Sequence, residues 1–319
     1  MRVWKFDQNG CSVVDQPDWE ALLADTAHVV WVDLKNADAE TIPLLRDTFK
    51  FHPLAIEDTL NERQRPKVEE YENHLFGILN GVDFVENALH FREIDVFVGS
   101  NFIVTIHDTD EPLVDSAVKR VDKHGPYKLP MTSGYLLYLL VDVMVDSYFP
   151  VMDAIGDHIE ELSEKILDRP KQAYLAGLFR LKRALGEMWR VVGQQRDMFL
   201  LLTRETAPFV SGDSLRYYLR DVYDHLLRIA DTVNTFRENL SNVIDLYLSA
   251  VSNRLNVVVK RLTVYTILFG ALAVISGFYG MNFTHTFPPF EAAWGVPFVI
   301  ALMAIVAVLL VRLLDRNEE

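Results

Sequence analysis

The sequence predicts an α+β membrane protein: an N-terminal cytoplasmic α/β domain, a helical region with a very long stalk helix, and two C-terminal transmembrane helices. Three observations support this class. Alternating apolar runs are confined to the first part of the chain, proline and glycine are absent from 213 to 269, and two long uncharged apolar runs lie near the end.

Residues 1–130 are expected to form the α/β domain, with a mainly antiparallel sheet flanked by helices. Apolar runs of strand length alternate there with turn residues such as Gly99-Ser100-Asn101. The predicted strands are Val29–Leu34, Leu75–Val85, His90–Val98 and Phe102–Ile106, and the predicted helices are Trp19–Ala24, Ile42–Phe49 and Leu113–Lys123.

Residues 131–212 are expected to form a helical hairpin region, because strand patterns are absent after Thr132. One helix is predicted to reach about Asp168 and to end before Pro170, since proline disfavours helix at the residue before it. A second helix is predicted from Lys171 to Thr203, and Pro208 then interrupts the chain.

One continuous helix is predicted to include a stalk over 213–262 and a first membrane span over 263–282. At 1.5 Å per residue this helix would be roughly 100 Å long. A helix of that length is not stable alone in water and requires neighbours.

The two membrane spans are predicted from runs without any charged residue. Thr263–Tyr279 is the first and Val296–Leu310 is the second, and each approaches the roughly 20 apolar residues that cross a bilayer once its flanks are included. The alternative is a buried hairpin of a soluble protein, but two long uncharged runs placed together at the C-terminus are expected to leave a soluble core nowhere to wrap around them. The remaining segments are an external loop over 283–295, a second span over 296–314 and a cytoplasmic tail over 315–319.

Flanking charges predict the orientation of these spans. Lys260 and Arg261 precede the first span, and Arg312 and Arg316 close the second, whereas the loop between the spans carries only Glu291. By the positive-inside rule both termini are cytoplasmic. The sequence therefore predicts a multi-pass membrane protein, embedded in lipid.

The overall charge favours cations over nucleic acids. There are 31 Lys and Arg residues against 45 Asp and Glu residues, and the net charge is −14. An acidic surface disfavours nucleic acid, so no such partner is expected. Cys11 is the single cysteine, which excludes an internal disulfide and any cysteine-based zinc site.

A stripe of small and polar residues follows one face of the long helix at spacings of three or four. Two transmembrane helices cannot enclose an aqueous path, so transport would require several copies of the chain. The stripe fits either a pore or close helix packing in lipid, and its apolar pair fits a gate that opens by wetting. The pore-lining and gate candidates are Asp245, Ser249, Ser252, Asn256, Val259, Leu262, Thr266, Gly270, Ala273 and Gly277.

The first span ends in Gly280-Met281-Asn282. A helix end exposes carbonyl oxygens and carries partial negative charge, and Asn282 adds an amide oxygen. Such neutral oxygens suit a hydrated magnesium ion, which gives up water reluctantly. The alternative is an ordinary Gly/Asn helix end.

Together with two other segments, this tripeptide resembles the CorA family of magnesium and cobalt transporters. The other segments are His52–Asp58 continuing into Gln64–Tyr71, and Leu219–His225 followed by Asp245–Asn253. The resemblance implies a homopentameric, funnel-shaped channel for Mg²⁺ with Gly280, Met281 and Asn282 as the external selectivity ring. It also implies a location in the bacterial inner membrane and regulatory Mg²⁺ bound between subunits. The matching positions are Glu57 and Asp58 on one side, and Asp142, Asp221 and His225 on the other.

The external loop departs from the family pattern, since Thr286–Glu291 replaces a short Met-Pro-Glu-Leu stretch. The role of Glu291 in attracting cations is therefore open. Co²⁺, Ni²⁺ or Zn²⁺ are alternative ions, and the closest alternative function is a zinc transporter of the ZntB type, which can be proton-coupled. An enzyme is not expected, because the chain contains no Walker A loop, His-Glu-x-x-His motif or nucleophile elbow.

Overall fold

The computed structural model describes residues 1–7, 10–38, 41–61, 64–86, 88–108, 112–123, 130–203, 209–210, 213–281, 287–289 and 293–315. The chain divides into two compact units, Met1–Ile244 and Asp245–Glu319. The first unit contains the sheet and most of the helices. Asn282, Glu291 and Arg316 lie outside the described residues.

The first unit is built on a seven-stranded sheet. Its strands are β1 (Arg2–Asp7), β2 (Gly10–Val13), β3 (Val29–Lys35), β4 (Lys67–Glu70), β5 (Leu75–Val85), β6 (Ala88–Val98) and β7 (Phe102–His107). Their order is β2-β1-β3-β7-β6-β5-β4, and only β3 and β7 run parallel. The prediction of a mainly antiparallel sheet is therefore confirmed.

Three of these strands were not predicted from the sequence, namely β1, β2 and β4. Strands β2 and β4 are the two edges of the sheet, and both are only four residues long. Edge strands commonly carry polar and charged residues, which weakens the alternation that reveals a strand. The four predicted strands are confirmed, with ends shifted by up to two residues.

The first four helices are short and lie between or directly after the strands of the sheet in chain order. They are α1 (Trp19–Ala24), α2 (Thr41–Pro43, continued by a π-helical turn over Leu44–Thr48), α3 (Pro53–Leu60) and α4 (Pro112–Lys123). One face of the sheet packs with Phe49 and Phe51, which follow the π-helical turn, and with Ala55 and Ile56 of α3. This packing fixes α3 against the sheet, and α3 carries two of the predicted metal ligands.

The predicted single helix from Thr132 to Asp168 is interrupted at Ser147, and this prediction needs correction. The structure has α5 (Ser133–Asp146) and α6 (Tyr148–Asp168). Proline at Pro150 has no N–H to donate to the carbonyl four residues earlier, and its ring crowds that carbonyl, so a regular helix is disfavoured there. At the interruption, the hydroxyl of Ser147 donates to Met144 O at 2.6 Å.

Helix α7 (Gln172–Leu202) and helix α8 (Asp213–Tyr279) agree with the predicted positions. Helix α8 has 67 residues, as the missing proline and glycine predicted. Within the first unit, α8 buries a row of apolar residues that are spaced three or four positions apart. The packing of this row supplies the neighbours that a long helix requires. The row is Leu215, Leu219, Val222, Leu226, Ile229 and Val233.

Helix α9 (Gly295–Asp315) follows in the second unit. The apolar stretch of α8 is long enough to cross a membrane and is 0% buried, and α9 contains a shorter apolar stretch, Gly295–Leu310. The helical segment Ser133–Asp168 is also apolar, but 78% of its most apolar stretch is buried. That segment is therefore part of the core of the first unit, and α8 and α9 are the two candidate membrane helices.

Candidate metal sites and pore-lining helix

Two aspartates of α5 and a histidine of α8 form a candidate metal site. One ligand atom from each of Asp142, Asp146 and His225 lies within 4.8 Å of the others. Asp221 lies one turn before His225, and its Oδ2 is 3.9 Å from His225 Nε2. We call these four residues the acidic cluster.

Arg120 of α4 neutralises part of the acidic cluster. Its guanidinium forms an ion pair with Asp142 and a second one, at 2.6 Å, with Asp146 Oδ2. The side chain of Asp142 is only 13% exposed. A metal ion that bound these carboxylates would therefore compete with the positive charge of Arg120.

The electrostatics of the cluster are dominated by burial and by its own negative charges. Burial raises the pKa of Asp142, and the neighbouring Asp146 raises it further, whereas Arg120 and His225 act in the opposite direction. Burial also raises the pKa of the Tyr138 hydroxyl, assisted by the charges of Asp142 and Asp221. A divalent cation would relieve this concentration of negative charge. Carboxylates suit a hard cation, and the imidazole also permits a softer one.

Glu57 and Asp58 lie on α3 and form a separate group. Asp58 Oδ2 accepts a hydrogen bond from Lys67 Nζ at 2.6 Å, and the same ammonium donates to Glu69 Oε1 at 2.8 Å. Glu57 is exposed. Among the described residues, the group whose ligand atoms lie close enough together to hold one metal ion contains neither Glu57 nor Asp58. A joint site of these residues with Asp221 across a subunit interface stays a prediction.

The predicted stripe lies on one exposed face of α8. All ten of its residues are exposed in the single chain, and Leu262 is exposed by 63%. The part-covered residues of the apolar stretch include Leu268, Leu272, Ile275 and Tyr279. Each of these follows a stripe residue by two positions, which places it about 200° around the helix. From Thr266 onward the stripe is therefore on the side of α8 that the chain's own residues leave uncovered, whereas over 251–263 the residues on every side of the helix are exposed.

Helix α8 ends at Tyr279, three residues before the predicted end of the first span at 282, which lies outside the described residues. Gly280 N–H still donates to Ser276 O at 2.9 Å, and Met281 N–H donates to Phe278 O at 3.3 Å. A Cβ at Gly280 would lie 3.1 Å from Ser276 O, so this position favours glycine. Gly280 and Met281 therefore continue directly from the last turn of α8.

Sequence comparison decides the family. A profile of the family described as CorA-like Mg²⁺ transporter protein matches residues 26–316. The chain belongs to the CorA family. The cobalt/magnesium transport protein CorA of Thermotoga maritima is 34% identical over 297 residues, which cover 92% of this chain and 84% of that protein.

Two solved structures share the fold. The CorA magnesium transporter from Methanocaldococcus jannaschii matches with a TM-score of 0.82 at 23% identity, over 98% of this chain and 96% of that one. The ZntB cytoplasmic domain from Vibrio parahaemolyticus matches with a TM-score of 0.62 at 15% identity, over 79% of this chain and 98% of that one. The CorA match confirms the predicted α+β class with a long helix and two candidate membrane helices.

The structure brings together three residues that the CorA resemblance singled out, Asp142, Asp221 and His225, and adds one that sequence reasoning missed. Asp146 is four residues after Asp142 on α5, so both carboxylates share one helix face. That spacing was visible in the sequence. It became informative only once α8 was known to place His225 against the same face.

Proposed function

We propose that this chain is one subunit of a channel that admits Mg²⁺ through the bacterial inner membrane, with both termini in the cytoplasm. The observation that carries this proposal is the uncovered stripe of α8, whose residues are small or polar through most of its length. Five copies arranged around these stripes would enclose an aqueous path. The name of the Thermotoga relative, a cobalt/magnesium transport protein, supports Mg²⁺ and Co²⁺ as cargo.

Within this channel, Val259 and Leu262 form the gate. They are the two large apolar residues of the stripe, and a ring of such side chains expels water when it is narrow. Gly280, Met281 and Asn282 form the external selectivity ring, where helix-end carbonyls and the Asn282 amide contact the hydration shell of the ion. Both roles rest on the positions of these residues along α8 and in the sequence after it.

Regulation by intracellular Mg²⁺ acts through the acidic cluster and α3. A cation held between Asp221 of one subunit and Glu57 and Asp58 of its neighbour removes repulsion between carboxylates, and Asp142 and His225 supply further ligands. The closed arrangement binds the ion better than a splayed one, so metal shifts the population toward the closed channel. When internal Mg²⁺ falls, the carboxylates repel again and the channel opens.

The test of this function is ion uptake into proteoliposomes containing the purified full-length chain. Mg²⁺, Co²⁺, Ni²⁺ and Zn²⁺ are offered in parallel, with empty vesicles as the control. The proposal expects Mg²⁺ entry that depends on protein and decreases as internal Mg²⁺ is raised. Protein-containing vesicles that take up Mg²⁺ no faster than empty ones would contradict it.

A zinc transporter is the second candidate, and one observation favours it. His225 contributes an imidazole to the ligand group, and imidazole suits zinc better than magnesium. The likeness to the ZntB cytoplasmic domain shows a shared fold. Uptake under an imposed pH gradient separates the two functions, because proton-coupled Zn²⁺ entry responds to the gradient and passive Mg²⁺ entry does not.

A further inference from the structure

A cavity lined by acidic residues, separate from the acidic cluster, lies in the first unit, where the C-terminal end of α3 meets strands β6 and β7. Its volume is about 360 Å³, and Asn61, Glu93, Asp95 and Asp108 are among the residues that line it. None of these residues belongs to the acidic cluster. The cavity therefore needs its own explanation.

Asp95 is the unusual residue of this cavity. It is only 5% exposed, and its Oδ1 atom is buried without a hydrogen-bond partner in the described part of the structure. Its cross-strand neighbours are Ile78 on β5 and Ile106 on β7, both part of the hydrophobic core. A buried polar atom with no partner is costly, and a buried charge without a counter-ion is more so.

The charges that act on Asp95 are mostly negative. Burial raises its pKa well above the ordinary value, and Glu93 and Asp108 raise it further. Burial raises the pKa of Glu93 to about 7, with Asp108 adding to the effect. The cation that acts most on Asp95 is Lys67, and it is already shared between Asp58 and Glu69. Lys67 and Asp95 both pair with Ile78 from opposite sides, so they are two strands apart, roughly 9–10 Å.

Helix α3 adds a second source of negative potential. The cavity is also lined by Thr59, Leu60 and Asn61, which form the last residues and the C-cap of α3. Carbonyl groups at a helix C-terminus carry partial negative charge and favour cations. Carboxylates from the sheet and the helix end thus surround the same space.

We propose that this cavity binds a hydrated divalent cation of the magnesium type, with Asp95 as the direct ligand and Glu93 and Asp108 bound through its water molecules. Magnesium is usually held by one or two carboxylates and keeps several waters. An octahedral ion with Asp95 bound directly keeps five waters, and five waters at about 30 Å³ each occupy roughly 150 Å³, which fits the cavity. Among the described residues, these three carboxylates do not form a group whose oxygen atoms lie close enough together to bind one ion directly. Binding through bridging waters therefore suits them.

This site differs from the acidic cluster in the secondary-structure elements that form it and in the part of the chain that a bound ion would hold in place. It lies within one chain, between β6, β7 and the end of α3, and needs no second subunit. A bound ion ties the C-terminal end of α3 to the sheet. Since α3 also carries Glu57 and Asp58, the ion would hold these two residues in place.

The experiment uses Fe²⁺ as a probe for the site in the purified full-length protein. With ascorbate and hydrogen peroxide, Fe²⁺ at a magnesium site produces radicals that cut the backbone close to the ion, and mass spectrometry locates the cuts. We expect cuts near Asn61, Asp95 and Asp108 that excess Mg²⁺ suppresses. Asp95→Asn should reduce these cuts at least tenfold.

Two further variants keep the test decisive. Asp108→Asn removes an exposed carboxylate of the cavity, so it should preserve the fold and still reduce the cuts. Glu72→Gln removes an exposed carboxylate in the turn between β4 and β5, outside the cavity, and should leave the cuts unchanged. Circular dichroism checks that each variant is folded. Absence of cuts in these segments, or cuts that persist in both Asp95→Asn and Asp108→Asn, would overturn the proposal.

Discussion

Arg120 offers the sharpest test of the acidic cluster, because its removal should strengthen metal binding. The guanidinium is 33% exposed and pairs with Asp142 and Asp146. A partly exposed ion pair contributes about 0.2–1 kcal/mol, so the two pairs together are worth about 0.4–2 kcal/mol. A metal ion must displace this interaction to bind the same carboxylates. Arg120→Gln should therefore raise the apparent affinity for Mg²⁺ roughly two- to thirty-fold.

The assay for this prediction is limited proteolysis of the purified full-length protein over a range of Mg²⁺ concentrations. The midpoint of Mg²⁺ protection should shift to lower concentration in Arg120→Gln. Arg120→Lys keeps the positive charge and should stay near the wild-type midpoint, and Arg180→Gln changes an exposed arginine of α7 as a matched control. An Arg120→Gln midpoint equal to or above wild type would refute competition between Arg120 and metal.

The remaining predictions concern the regulatory site, the gate and the core. Asp221→Ala should lose Mg²⁺ protection from proteolysis and conduct at high internal Mg²⁺; full protection with normal shut-off would make Asp221 an ordinary surface residue. Leu262→Asn should hydrate the gate and raise Mg²⁺ leak in flux assays, and an unchanged leak would favour helix packing as the role of the stripe. Gln195→Leu should destabilise the first unit by about 2–4 kcal/mol, because buried Gln195 accepts from Asn80 N–H at 2.8 Å and donates to Tyr148 Oη at 3.0 Å. Unfolding is monitored by circular dichroism, and an unchanged denaturation midpoint would contradict that estimate.

The fold was predictable wherever a strong local pattern decided the structure. The absence of proline and glycine from 213 to 269 indicated the long α8, and the charge-free runs indicated the two candidate membrane helices. The short edge strands β2 and β4 were missed because their few apolar residues give no clear alternation. The interruption at Ser147 was also missed, although Pro150 is visible in the sequence and disfavours a regular helix there.

The candidate sites were only partly predictable, because they depend on contacts between distant segments. Asp142 and His225 were selected from the CorA resemblance, but the contribution of Asp146 and the ion pairs of Arg120 required the packing of α4, α5 and α8. Asp95 gave no sequence signal, since an aspartate within a strand ordinarily faces solvent. Its burial beside Ile78 and Ile106 follows from the register of β5, β6 and β7.

The most direct test of the channel is Mg²⁺ uptake into proteoliposomes by the wild type and by Asn282→Ala. Asn282 supplies the side-chain amide of the Gly-Met-Asn exit, and its loss leaves the charge of the chain unchanged. The account predicts rapid wild-type uptake and almost none in Asn282→Ala, with the same oligomer size for both proteins in detergent. Wild-type rates in Asn282→Ala would contradict the selectivity ring, and a wild-type protein that admits no Mg²⁺ would contradict the channel itself.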